Sequence, residues 1–294
     1  INNRPYHIPL RLVGSEMCIR DRILNNALES VFLFSFINFM KRFIYSLFFF
    51  SILSSCSEYQ RVLKTDDIAS KFKLGTELYE LGKFEKANRL FLQIVPKYRG
   101  KPQAQKLMYM HSKAFYNTKD YYTANYKMEQ FVESYPDSER VDEIAFLGAK
   151  SYYFLSPKYS RDQTETIDAL EKLQEFINRY PDSKYFNDAN AIIQELDLKL
   201  EKKAYEIALQ YNKTGPYHRD YNSAITSFDN FLDSFPGSVF REDALFYKFD
   251  SAYKLAVNSV KWKQNERTEK ALKYYRSLMR YFPETKYLVQ TQLM

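Results

Sequence analysis

The sequence predicts an all-α fold, an α-solenoid of about five helical hairpins, on three observations. A pattern of alanine, large apolar residues and proline recurs five times. Seven glycines in 294 residues are too few for the many tight turns of an all-β design. Aromatic residues make up 17% of the chain, with 26 Tyr and 24 Phe, which suits a solenoid whose repeats bury rings against their neighbours.

The units follow in order. The first carries Gly75, Gly82, Phe84, Ala87, Phe91 and Pro96, and the second Tyr121, Ala124, Met128, Phe131 and Pro136. The third has Ala169, Leu173, Phe176 and Pro181, the fourth Tyr221, Ala224, Phe228, Phe231 and Pro236, and the fifth Ala271, Tyr275, Leu278 and Pro283. In units two to five the alanine precedes the proline by 12 residues; in unit one the interval is nine. An alanine with apolar residues at +4 and +7 marks one helix face. The small side chain lets two helices approach, and the rings fill the space between them. Proline then ends the helix, because it has no N–H and restricts the residue before it. Two residues past the proline stands Ser138, Ser183, Ser238 or Thr285, placed to cap the next helix.

Gly75, Gly82, Phe84, Ala87 and Phe91 match the tetratricopeptide repeat in type and spacing, with Gly75 at the helix crossing and Gly82 at the turn. Successive prolines lie 40, 45, 55 and 47 residues apart, against about 34 for the basic repeat. The later units therefore have longer first helices or longer loops, notably at 156–166, 212–220 and 258–268. Long loops on one edge of a solenoid often carry recognition.

Ahead of the repeats, Met40-Lys41-Arg42 precedes an apolar run at 43–53 and then Ser54-Ser55-Cys56. A charged start, a short apolar core and small residues before a cut site form a secretory signal peptide, and the run is shorter than the roughly 20 residues that span a bilayer. Leu53-Ser54-Ser55-Cys56 resembles the lipobox of bacterial lipoproteins. Cys56 is then the lipid attachment site, and several acyl chains on it anchor stably where one would not. Residues 13–22 resemble a peptide that recurs when sequencing-adaptor DNA is translated. Residues 1–39 accordingly read as a non-native leader, 40–55 as the signal peptide, 56–66 as a lipidated linker and 67–294 as the repeat solenoid.

Composition excludes several function classes. Six of the 43 basic and three of the 36 acidic residues precede Cys56, which leaves a small positive excess in the repeats. Acids and bases alternate there as on solvated helix faces, with no basic stripe for phosphates, so nucleic acid is not an expected partner. Cys18 and Cys56 make neither a disulfide framework nor a zinc site. His7, His111 and His218 have no metal-ligand spacing. No Ser-His-Asp, Cys-His or glycine-rich phosphate arrangement occurs. An enzyme is not expected, nor a metal or cofactor beyond the covalent lipid. Acidic pairs such as Asp66-Asp67 and Glu242-Asp243 read as first-turn residues that favour the helix dipole.

The pattern over 56–256 resembles the BamD family of outer-membrane assembly lipoproteins. The resemblance rests on the lipobox, on the Phe-x4-Pro helices ending in Tyr135-Pro136-Asp137-Ser138 and Tyr180-Pro181-Asp182-Ser183, and on Ser160-Arg161-Asp162-Gln163-Thr164. A long helix through Leu198, Lys203, Tyr205 and Ala208 to Tyr211, followed by Gly215 and Tyr217, adds to it. The resemblance implies a lipid anchor in the outer membrane with the body in the periplasm. The implied partners are the POTRA domains of the β-barrel insertase, other assembly lipoproteins and unfolded β-barrel precursors. The alternative is another periplasmic tetratricopeptide lipoprotein, coordinating envelope or division complexes.

Most Tyr and Phe at helical spacing are core. Tyr79 and Tyr116 differ, because each follows a core residue, Leu78 or Phe115, and should turn toward the groove of the first helices. There a tyrosine can stack on the aromatic end of a precursor peptide. Arg161 and Asp162 read either as a partner-binding loop or as a solvated turn.

Overall fold

The computed structural model describes residues 56–218 and 220–294. The leader and signal peptide lie outside the described residues, as does the side chain of Cys56. The chain divides into two compact units, residues 1–74 and 75–294. In the described part of the first, α1 (Cys56–Lys64) is followed by the start of α2 (Ile68–Glu80). The Asp67 carboxylate accepts the Ala69 N–H at 3.0 Å and the Ser70 hydroxyl, so this acid caps α2 from the position before it and does not lie in the first turn as expected.

The second unit contains the end of α2 and α3 (Phe84–Tyr98), α4 (Ala104–Asn117), α5 (Tyr121–Ser134), α6 (Val141–Leu155), α7 (Thr164–Arg179), α8 (Phe186–His218), α9 (Asn222–Ser234), α10 (Arg241–Val257), α11 (Lys261–Tyr281) and α12 (Leu288–Gln292). From α3 to α11 each helix packs on the next, and α4, α6, α8 and α10, the first helices of their hairpins, also lie side by side. This is an α-solenoid of tetratricopeptide-type hairpins. The repeat alanines Ala87, Ala124, Ala169, Ala224 and Ala271 are all buried, and so are Phe91, Met128, Leu173 and Phe228 at +4. At the first crossing, a Cβ on Gly75 would stand 2.6 Å from Cε1 of Phe91, itself fully buried. Gly82, with φ of 71°, makes the turn that follows.

The proline reading holds for units two to five, where the helices end at Ser134, Arg179, Ser234 and Tyr281, two residues before the proline. It fails in unit one, where α3 runs through Pro96 to Tyr98. Counted from the alanine, Tyr98 is the counterpart of Tyr135, Tyr180, Phe235 and Phe282, and Ile94 is the counterpart of Phe131. Pro96 sits three residues earlier than the other prolines, inside the last turn. The helical bond it removes is to the carbonyl of Leu92, whose surroundings are open to water.

One turn joins successive hairpins throughout. The N–H of Ser138, Ser183, Ser238 and Thr285 donates to the carbonyl of the aromatic residue three before, and the hydroxyl residue's own carbonyl accepts the N–H three after. Lys101 occupies this place after Tyr98 with the same two bonds. The four hydroxyls accept the N–H two residues on, from Arg140, Tyr185, Phe240 and Tyr287. This corrects the expected helix cap: the bound N–H belongs to the residue before the helix, and it tightens the turn.

The same turn clamps neighbouring hairpins. The second residue of each first helix reaches the next hydroxyl in three cases: Gln105 to Ser138 (2.5 Å), Ser183 to Asp142 (2.8 Å) and Thr285 to Glu242 (2.6 Å). In the four later turns the residue before the first helix stacks on a ring of the preceding first helix. Tyr185 stacks on Phe146 (4.8 Å), Phe240 on Tyr205 (5.0 Å) and Tyr287 on Phe246 (3.8 Å). In the remaining case the stacking group is the guanidinium of Arg140, 4.4 Å over Tyr109.

Of the three expected loops, only 156–163 is one. The insert at 212–218 is helix, the end of the 33-residue α8, and most of 258–268 belongs to the 21-residue α11. Buried contacts hold α8 along its length: Ala189 and Leu196 join the core around Phe176, and Tyr205, Ala208 and Leu209 join that around Phe228. Near its end Gly215 admits Tyr221, whose ring would lie 2.4 Å from an added Cβ.

His111 is buried beside Asn88, 2.9 Å away, between the rings of Phe91 and Phe115. Burial, with Lys127 adding to it, lowers its pKa to about 4. Folded His111 is thus neutral where the unfolded residue, near 6.5, takes up a proton. Its contribution to stability is full above pH 6.5 and falls away as the pH drops toward 4. Replacing His111 by Gln is expected to flatten that part of the acid-unfolding profile, measured by urea titration at pH 7.5, 6 and 5. Gly75→Ala, which forces the Phe91 ring to move, is expected to cost about 1–3 kcal/mol in the same assay.

Candidate functional site

The groove side of the early hairpins holds a cavity of about 510 Å³. Its walls come from the end of α2, the first half of α4 and the turn before α6. Tyr79 lies half-buried on one side, edge-on to Phe84 at 5.4 Å, and burial raises the pKa of its phenol. Tyr109 and Phe131, with ring centres 6.4 Å apart, line the cavity with Gln105, Lys106 and Arg140.

A polar triad fixes Tyr109 from behind. Its hydroxyl donates to Glu143 at 3.2 Å, and Lys113 donates to Glu143 at 2.7 Å and to the Tyr109 oxygen at 3.0 Å. Burial alone would lower the Lys113 pKa, but the bonds to Glu143 and Tyr109 outweigh it and raise it. Glu143 is therefore committed to Lys113. Arg140, exposed and held over Tyr109, has no salt bridge among the described residues. The cavity thus offers aromatic walls and an unpaired cation, the chemistry that takes an aromatic side chain next to a carboxylate.

The structure separates the residues singled out in the sequence. Tyr79 lines the cavity. Tyr116 does not: it packs edge-on to Tyr121 (5.7 Å) and Phe154 (6.1 Å), which stack on each other at 4.7 Å, at the turn edge of the second and third hairpins. Burial raises its pKa to about 12. Arg161 and Asp162 are exposed on a pinned loop. The buried Gln163 amide donates to the carbonyls of Lys158, Arg161 and Asp162. Lys203 of α8 donates to the Arg161 carbonyl at 2.7 Å, and Asp162 caps Thr164 at 2.9 Å, which lowers its pKa. Asp162 thus has a local structural job, whereas the Arg161 side chain faces outward.

Residues 65–219 match the family model YfiO, described as outer membrane lipoprotein. The chain belongs to this family. Among its relatives, a BamD-type outer membrane protein assembly factor of Aquifex aeolicus is 28% identical over 68% of this chain and 62% of its own length. The outer membrane protein assembly factor BamD of Helicobacter pylori is 25% identical over 34% of this chain and 46% of its own. That of Rickettsia prowazekii is 22% identical over 65% and 74%. The chain thus spans less than two thirds of the first two relatives. A solved chain of TPR-like repeats from a Podosopora anserina kinesin light chain covers 74% of this chain and 96% of its own at 13% identity and a TM-score of 0.30. The YfiO match spans the cavity, the pinned loop and all of α8.

Sequence reasoning missed Tyr109, Arg140, Lys113 and Glu143. A signal for Arg140 was present: aligned on the repeat alanine, positions 103, 140, 185, 240 and 287 read Gln, Arg, Tyr, Phe, Tyr. The arginine holds the place that an aromatic ring takes in the three turns after it. Arg140→Tyr is therefore expected to leave stability within about 0.5 kcal/mol of the parent, because a ring restores the stack used elsewhere. Arg140→Ala is expected to lose about 0.5–1 kcal/mol, the worth of an exposed cation–π contact. Urea unfolding of both variants checks the order.

Proposed function

We propose that this protein is a lipid-anchored scaffold for assembling outer-membrane β-barrels, held by acyl chains on Cys56 with its repeats in the periplasm. In this role it docks the POTRA-bearing insertase and companion assembly lipoproteins, and holds unfolded barrel precursors while they are delivered. It works by binding and not by catalysis. Membership of an outer membrane lipoprotein family supports the location, and the relatives' designation as assembly factors supports the task.

The observation that carries the substrate part is the cavity beside Tyr79 and Tyr109. Its rings suit a terminal aromatic side chain, and Arg140 suits the adjacent carboxylate. The loop bearing Arg161 and Asp162 is a docking element in this proposal. Gln163 and Lys203 hold it in one shape before a partner arrives, which reduces the ordering cost of binding. Tyr116 stays a groove-edge candidate through its aromatic cluster.

Co-purification from envelopes of the native host, with a tag at the C-terminus, tests the assignment. Recovery of a POTRA-bearing β-barrel protein in near-equal amount is expected; recovery of peptidoglycan or division proteins in its place sinks it. Cys56→Ala is expected to keep the fold and leave the membrane fraction. A peptide ending in an aromatic residue with a free carboxylate is expected to bind about tenfold more weakly to the Arg140→Tyr variant, a difference of roughly 1.4 kcal/mol. Equal binding removes the cavity from the proposal.

A further inference from the structure

The packing of α8, α10 and α11 leaves one group of residues without a structural role. The first helices α8 and α10 run side by side, and Asn212 sets their register by donating to Asp250 and Ser251, each at 2.8 Å. Roughly two turns beyond that tie both helices end, α8 at His218 and α10 at Val257. The two turns at this end expose Tyr217 (86%), Val257, Val260 and Trp262 (77%), every one of them more than half exposed.

The helix that carries Trp262 is overlong. α11 begins ten residues before its repeat alanine Ala271, whereas α5 and α9 begin three and two residues before theirs. The added turns place no residue in the buried core. They place Trp262 between Lys261 and Lys263, the latter 4.7 Å from its ring.

Charge at this tip is mainly positive. Asp220 keeps an exposed carboxylate that accepts the N–H of Asn222, whereas Asp250 is buried against Asn212 and Lys254 and Glu266 pairs with Lys270. Lys213 and Lys261 are exposed and have no ion pair among the described residues. Protruding apolar side chains ringed by free cations, with an indole among them, fit the boundary between water and a lipid layer. There the rings sit at headgroup depth and lysine stems reach the phosphates. A convex tip presses into a fluid surface, whereas a protein partner would need a surface shaped to match it. No described helix is long and apolar enough to cross a membrane, so the contact is with the surface.

We propose that the tip formed by the end of α8 and the α10–α11 turn is a second, noncovalent membrane contact that takes the headgroups of anionic phospholipids. The proposal needs only the membrane location of the family and stands whether or not the assembly role does.

Trp262 is the sole tryptophan of the chain, so its fluorescence reports this tip alone. The full chain is bound to vesicles of phosphatidylcholine, or of phosphatidylcholine with about a third phosphatidylglycerol. Expected on the anionic vesicles are a blue shift of the emission and quenching by brominated acyl chains. Both should vanish in molar salt, where charges more than about 3 Å apart are screened. The double variant Lys261→Glu, Lys263→Glu is expected to lose the shift while its circular dichroism stays that of the parent. Water-like emission from protein that sediments with anionic vesicles overturns the proposal, as does an equal shift on pure phosphatidylcholine. A shift that appears only when envelope proteins are added also overturns it, and assigns the tip to a protein partner.

Discussion

The fold depends on the clamp between successive hairpins. A hairpin of two amphipathic helices cannot bury both its faces alone, so each must be fixed to its neighbour before it is stable. The alanine seam closes each hairpin, and the turn after it closes the stack. At Ser183 and Thr285 that turn does two things at once. Its hydroxyl ties to the head of the preceding first helix, as Ser183 does to Asp142, and its last residue lays a ring on that helix, as Tyr287 does on Phe246. The hydrogen bond sets the distance between hairpins and the ring sets their rotation. Together they aim the row of first helices, and so the groove.

The hairpins were legible in the sequence because a solenoid repeats its solution. Ala124, Ala169, Ala224 and Ala271 meet the same packing problem, and the seam they form is visible as spacing. What misled was the choice of marker. Proline reports only where a helix must stop, and Pro96 lies in a last turn that tolerates it, so the proline of unit one stands three residues ahead of its place in the other units. Alanine reports contact and keeps its place in all five units. The inserts at 212–218 and 258–268 misled for a related reason. Their polar composition looks like loop; at 212–218 the buried Asn212 and Gly215 pack the stretch against its neighbours and keep it helical, whereas the start of α11 is helical without placing a residue in the core.

The candidate site was less legible, because it is made between repeats. Tyr79 was found from its own helix, but Tyr109, Lys113 and Glu143 acquire meaning only when α4 and α6 lie side by side. Tyr116 shows the converse. At the equivalent place one repeat later, it meets Tyr121 and Phe154, which local sequence put there, and is drawn into a cluster at the turn edge. A position repeated by the solenoid is not an environment repeated by it.

Arg140 is where structure and binding chemistry meet. Three of the four stacked clamps use a ring, and a ring there buries apolar area with no charge to satisfy. An arginine at that place gains the cation–π contact but makes no salt bridge with a carboxylate among the described residues: the acid of the triad, Glu143, belongs to Lys113. Stacking holds the guanidinium plane still, which is the condition for recognising a carboxylate through paired N–H bonds. Had the position served the clamp alone, a tyrosine would serve as well, as it does at 185 and 287. The departure from the ring stack lies at a clamp that borders the Tyr79 and Tyr109 cavity, and local exceptions of this kind gather at functional sites.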